Sequence, residues 1–128
     1  MAHGAASCVL LAERHPALTQ GVRGLLETMF DSVVMVADET SLSESAARLR
    51  PEIAIVELAL VRDRNLEWLL ALRARCPGLR VIVLSMHDEP NVRQAALDAG
   101  ADAVVLKRAI VTDLLPAIER VLARSEAG

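Results

Sequence analysis

Five places in this 128-residue chain carry side chains able to do chemistry, and each directly follows a short apolar run. They are Glu13-Arg14, Asp38-Glu39, Glu57 to Ala59, Ser85-Met86-His87 and Lys107. Carboxylates, a guanidinium, a hydroxyl and an ammonium can build an internal ion network if a fold gathers them. A carboxylate can also act as a nucleophile. Neither follows from one residue, so the elements that position these groups decide what they do.

Those elements are written in two alternating periods. Cys8–Ala12, Val33–Ala37, Ile53–Val56, Val81–Leu84 and Ala103–Leu106 are continuous apolar runs of four or five residues. Such runs fit strands buried on both faces, as in a parallel sheet. Helical spacing lies between them: Leu18, Val22, Leu25, Leu26 and Met29; Leu42, Ala46 and Leu49; Leu66, Leu69 and Leu70, with Trp68 and Leu72 on a neighbouring face; Val92, Ala95, Ala96 and Ala99; and Leu114, Leu115, Ile118, Val121 and Leu122. Pro16 and Pro90 suit helix first turns. Arg50-Pro51 ends the second helix, Cys76-Pro77-Gly78 the third, and Gly100 caps the fourth. Pro116 belongs in the first turn of the fifth, because deeper placement costs about 3 kcal/mol. The result is (βα)5: a parallel sheet with helices on both faces. Such sheets bind ligands at the carboxyl ends of their strands, where all five places lie.

Composition narrows the function further. Ala, Leu, Val and Ile make up 60 of the residues, so a packed core is available and disorder is not expected. No apolar run reaches the ~20 residues of a membrane span, and Met1–Ser7 does not read as a secretory signal. The formal charge is −3, with cations scattered rather than striped, and only Trp68 and Phe30 are aromatic. Direct nucleic-acid binding is therefore not expected. Cys8 and Cys76 form no CxxC pair and read as buried, reduced thiols of a cytoplasmic protein. Flavin binding would want a Ser/Thr/Gly-rich loop where Glu13-Arg-His-Pro16 stands, and no Gly-rich P-loop occurs. His3, His15 and His87 read as loop or terminal residues, Met35 and Met86 as packing, and Trp68 as a partly buried cover.

From about Cys8 to Leu122 the chain resembles the bacterial response-regulator receiver domain, closest to the NarL/FixJ type. The resemblance is carried by Leu11-Ala-Glu-Arg-His-Pro16, Pro51-Glu-Ile-Ala-Ile-Val-Glu-Leu58, Val81-Ile-Val-Leu-Ser-Met-His-Asp-Glu-Pro90 and Ala99-Gly-Ala-Asp-Ala-Val-Val-Leu-Lys107. It implies a flavodoxin-like fold, a doubly wound parallel sheet of order 2-1-3-4-5, with residues 1–124 as the domain and 125–128 beginning a linker or tail. It also implies a chemistry. An acidic pair after the first strand holds Mg²⁺, and an Asp ending the third takes a phosphoryl group from a histidine kinase or phosphotransfer protein. A Ser/Thr and a Lys after the fourth and fifth strands contact the phosphoryl oxygens.

The sequence departs from that pattern where the chemistry is decided. The acidic pair reads Glu13-Arg14, and the phosphoacceptor position is Glu57. Ser85 and Lys107 occupy the phosphate-contact positions. Leu60-Val-Arg-Asp-Arg-Asn65 lacks the usual Pro-Gly, and Val104 stands where an aromatic switch residue is frequent. The expectation is a pseudo-receiver without metal, in which Arg14 pairs with Glu57 or Glu13 and Lys107 also approaches Glu57. It would act by protein contact and not as an enzyme, with an output domain outside this chain regulating transcription. The partners expected are a sensor kinase or other regulator, that output domain, and a second copy. The second copy would dock through helix four, strand five and helix five, or through helices one and five. The alternative is a Mg²⁺-dependent receiver that accepts phosphate from a histidine kinase.

Overall fold

A computed structural model describes residues 7–13, 16–58, 66–86 and 89–127. Among the described residues five strands alternate with five α-helices: β1 (Cys8–Ala12), α1 (Pro16–Leu26), β2 (Ser32–Val36), α2 (Glu39–Leu49), β3 (Ile53–Glu57), α3 (Glu67–Arg75), β4 (Arg80–Ser85), α4 (Pro90–Asp98), β5 (Ala103–Leu106) and α5 (Ile110–Ala127). All the strand pairs are parallel, in the order β2-β1-β3-β4-β5. This is the doubly wound flavodoxin-like sheet that the alternation and the resemblance imply.

The two-residue period of the strands divides the core in two. Leu10, Ala12, Ala54, Val56, Val81, Val83 and Val104 pack with α2, α3 and Ala96 of α4. Val9, Leu11, Ile53, Ile55, Ile82, Leu84 and Val105 pack with α1 and α5. Both sides of β3 and β4 are thus fully covered, which is why their sequences are apolar without alternation. The edge strand β2 differs: Met35 is exposed and Val33, Val34 and Val36 are half-buried. Its apolar run reads like a central strand, but a neighbour on only one side leaves it incompletely covered.

Several local expectations need correction. Pro116 lies inside α5, not in its first turn. A 3-10 turn over Lys107–Ala109 starts the helical path directly after β5, so α5 begins at Ile110. Pro116 and Thr112 are both on the exposed side, so water can reach the carbonyl left without its helical donor. On α3 the buried residues are Trp68, Leu69 and Leu72, whereas Leu70 is exposed. Trp68 is therefore core rather than cover. Met86 is exposed rather than packed. Cys8 and Cys76 are free thiols but only half-buried. On α4 only Ala96 is buried.

Other signals hold. Arg50 closes α2 in the left-handed region, φ 51°, ahead of Pro51. Gly100 follows α4 at φ 115°, a conformation costly for any residue with a Cβ. α5 extends through Ala127, three residues past the boundary drawn from the sequence at 124. No helix among the described residues is long and apolar enough to cross a membrane.

Candidate functional site

The register explains how distant residues meet. Ala12 pairs with Val56, so Glu13 and Glu57 are the next residues out on neighbouring strands. The Glu13 amide donates to the Val36 carbonyl at 3.3 Å, which continues the β1–β2 ladder one residue further. Glu57 lies opposite Leu84, and Ser85 opposite Leu106, so Ser85 ends β4 level with the last residue of β5 and Lys107 follows one residue further on. Alternation assigns Glu13, Glu57 and Lys107 to the set of positions that packs against α1 and α5. Ser85 belongs to the other set and is fully buried.

The three charged side chains converge. Lys107 Nζ lies 2.8 Å from Glu57 Oε1 and 3.3 Å from Glu13 Oε2. The contact to Glu57 is a hydrogen bond donated by the ammonium. The side chains of Glu13, Glu57 and Lys107 are 0%, 3% and 10% exposed. One ammonium thus serves two carboxylates out of bulk water, where charges are held only if paired. The sequence reading anticipated the approach of Lys107 to Glu57. The expected pairing of Arg14 with Glu57 or Glu13 lies outside the described residues, and the sharing of Lys107 with Glu13 was not anticipated because it depends on spacing across three strands. Arg14, His15, the 60–65 loop and His87 lie outside the described residues, as does His3.

The rim of this end is built by ordinary helix chemistry. Asp38 caps α2 by accepting the Ser41 amide at 2.7 Å. Hydrogen bonds from the Ser41 amide, then from its hydroxyl, hold the Asp38 carboxyl below its usual range against a small opposing effect of burial. Glu89 precedes α4 as its N-cap residue but makes no side-chain capping bond. Val104 is nearly buried in the cluster that includes Ala96 and Ala101. Arg93 of α4 donates to the Val104 carbonyl at 3.2 Å, so a side chain occupies part of the outer edge of β5.

Residues 9–119 match the family model described as the response regulator receiver domain. The chain belongs to that family. A nitrate/nitrite response regulator protein homolog of Haemophilus influenzae is 33% identical over 116 residues, covering 88% of this chain and 55% of the relative. The solved structure of RcsB from Salmonella enterica serovar Typhimurium, bound to promoter rprA in the presence of the phosphomimetic BeF3-, superposes with a TM-score of 0.78. Its sequence identity is 26%, covering 91% of this chain and 98% of that one. A CheY-like receiver domain protein of Methanospirillum hungatei superposes at 0.83 with 21% identity, covering 97% of this chain and 100% of that one, and bears on the fold alone. The chain spans about half the length of the curated relatives it matches. As a receiver domain it belongs to two-component signalling.

Proposed function

We propose that this receiver domain does not cycle phosphate and works by docking. It would contact a sensor kinase or another regulator, and pass the result to a transcriptional output domain outside this chain. The observation that carries this reading is Lys107 Nζ, 2.8 Å from Glu57 and 3.3 Å from Glu13. Glu57 is one methylene longer than the Asp that the family uses as acceptor, which carries its carboxylate towards the space of an incoming phosphoryl group. Its described oxygen contact is already an ammonium.

The same donor set suits Mg²⁺ poorly. A hard divalent ion wants several oxygen ligands. Glu13 and Glu57 would supply two, each already sharing the Lys107 ammonium, and the next residue in sequence is the cation Arg14. Where phosphoryl chemistry runs, the metal supplies charge neutralisation for the transfer. In the reading offered here Lys107 supplies a fixed positive charge instead, and Arg14 is proposed to add to it.

The Val104 position supports a domain held in one state. A Val packed with Ala96 and Ala101 has no ring to swing between buried and exposed positions. Docking faces on α4–β5–α5, or on α1 and α5, would serve a second copy or the output domain.

The test is incubation of the chain with acetyl phosphate and Mg²⁺, followed by intact-mass measurement. No added phosphoryl mass is expected. A stable adduct that disappears in Glu57→Gln would overturn the proposal in favour of a Mg²⁺-dependent receiver with a glutamyl acceptor. That second reading draws on the buried carboxylate, hydroxyl and ammonium standing at the family's three positions.

A further inference from the structure

The opposite end of the sheet carries a second constellation of charged residues. A groove of about 320 Å³ opens between the end of α3, the turn into β4, the start of β5 and the last turns of α5. Three guanidiniums line it, from Arg73, Arg80 and Arg124, with one carboxylate, Asp102. Arg73 is committed: it pairs with Asp102 at 3.4 Å and also donates to the Leu79 carbonyl. Asp102 is committed too, accepting the Val81 amide at 2.8 Å. Arg124 donates only to a neutral acceptor, the Asp102 carbonyl, at 3.2 Å. Arg80 makes no ion pair with a described residue.

Two positive charges are therefore left without a carboxylate among the described residues, on a chain whose overall formal charge is −3. Guanidinium forks match phosphate oxygens bidentately, and a phosphate monoester carries about −1.5 to −2 at neutral pH. The rest of the groove suits the body of an ester. Leu79 and Val121 are buried beneath it, the exposed Pro77 ring gives it an apolar rim, and at Gly78 even an added Cβ would meet nothing within 4 Å. Its volume is at the small end of ligand sites.

We propose that this groove is a binding site for a small phosphate monoester. The phosphoryl dianion would lie between Arg80 and Arg124, and the organic body over Pro77 and the open face of Gly78. Arg73 acts as a positioning residue: its Cγ stands 3.1 Å from where a Cβ on Gly100 would be, so it is packed as well as paired.

The experiment is an NMR titration of the ¹⁵N-labelled chain with phenyl phosphate, inorganic phosphate and sodium chloride at matched ionic strength. The expected result is saturable shifts confined to the amides of Gly78, Leu79, Arg80, Asp102 and Arg124. Phenyl phosphate should bind several-fold more tightly than inorganic phosphate, with no saturation by chloride. Arg80→Gln with Arg124→Gln should weaken phenyl phosphate at least tenfold, and Arg48→Gln, on α2, should leave it unchanged. Arg124 is exposed and Arg80 half-buried, and the unliganded spectrum of the double variant checks that the fold persists. If that variant unfolds, Arg124→Gln alone should still weaken binding several-fold. Linear shifts spread over all arginines, or unchanged affinity in the folded arginine variants, would overturn the site. Equal binding of the two phosphates would overturn the assignment to an ester.

Discussion

The two ends of the sheet hold the same kind of bond in opposite circumstances. At the carboxyl end, Lys107 binds Glu13 and Glu57 with all three side chains at least nine-tenths buried. At the amino end, Arg73 and Asp102 pair at 3.4 Å with side chains 30% and 25% exposed. Exposure changes what such a pair is worth. A partly solvated pair gains little from charge alone, about 0–1 kcal/mol. Its value here is that Asp102 also holds the Val81 amide, tying the start of β5 to β4. The buried triad is different. Its formation gains little net energy, but its disruption is expensive, because a buried charge loses its partner. One end is a backbone clamp and the other is a lock.

The largest effect that would test this contrast is Lys107→Met. It leaves Glu13 and Glu57 buried without their ammonium, and it should cost about 3–5 kcal/mol in urea unfolding. That is a large share of the ordinary stability of a domain. Glu57→Gln keeps the shape and leaves Lys107 with Glu13. A smaller loss, about 1–3 kcal/mol, is expected. Equal losses in the two variants would break the claim that one ammonium serves both carboxylates.

At the clamp end, Asp102→Ala removes the acceptor of the Val81 amide. A loss of about 1–2 kcal/mol is expected. Salt distinguishes the two ends further. The Arg73–Asp102 contribution should fade between low and high ionic strength, whereas the penalty of Lys107→Met should be nearly constant, since buried pairs are screened much less. A salt-sensitive Lys107→Met penalty would show the triad to be open to solvent.

The lock was more legible in sequence than the clamp, for a physical reason. A parallel sheet delivers the residues after its strands to one edge, so Glu13, Glu57, Ser85 and Lys107 could be grouped from apolar runs alone. The resemblance then supplied the strand order, without which Glu13 could not be set beside Glu57. The sharing of Lys107 was not legible, because it depends on distances across β1, β3 and β5. Nor was the exposure of Met35, which follows from β2 being at an edge. Pro116 misled because the 3-10 turn after Lys107 advances the start of the last helix. The clamp and its groove left no local signal: Arg73, Arg80, Asp102 and Arg124 come from four parts of the chain, and nothing in their spacing marks them as neighbours.

Proton linkage gives the smallest and most selective comparison, because each end has a group that responds on one side of neutrality. Asp38, at the carboxyl end, has its folded pKa lowered by the Ser41 hydrogen bonds. Its contribution to stability is present above the unfolded carboxyl value of about 4, and is lost as pH falls through the lower folded value. Cys8, at the amino end, has its thiol pKa raised, first by burial and then by the Glu52 carboxylate. Its contribution is present below the unfolded thiol value of about 8.5, and is lost as pH rises through the folded one. Melting temperatures across pH should therefore show Asp38→Asn flattening only the acid limb and Cys8→Ala only the alkaline limb. Both effects should be small, since Asp38 is exposed and a half-buried thiolate recovers part of its hydration. The raised thiol pKa also predicts slow alkylation of Cys8 at neutral pH, because the thiolate is the reactive form and both causes disfavour it. Rapid labelling of Cys8 in the folded chain would mean that the amino end opens far more readily than its clamp allows.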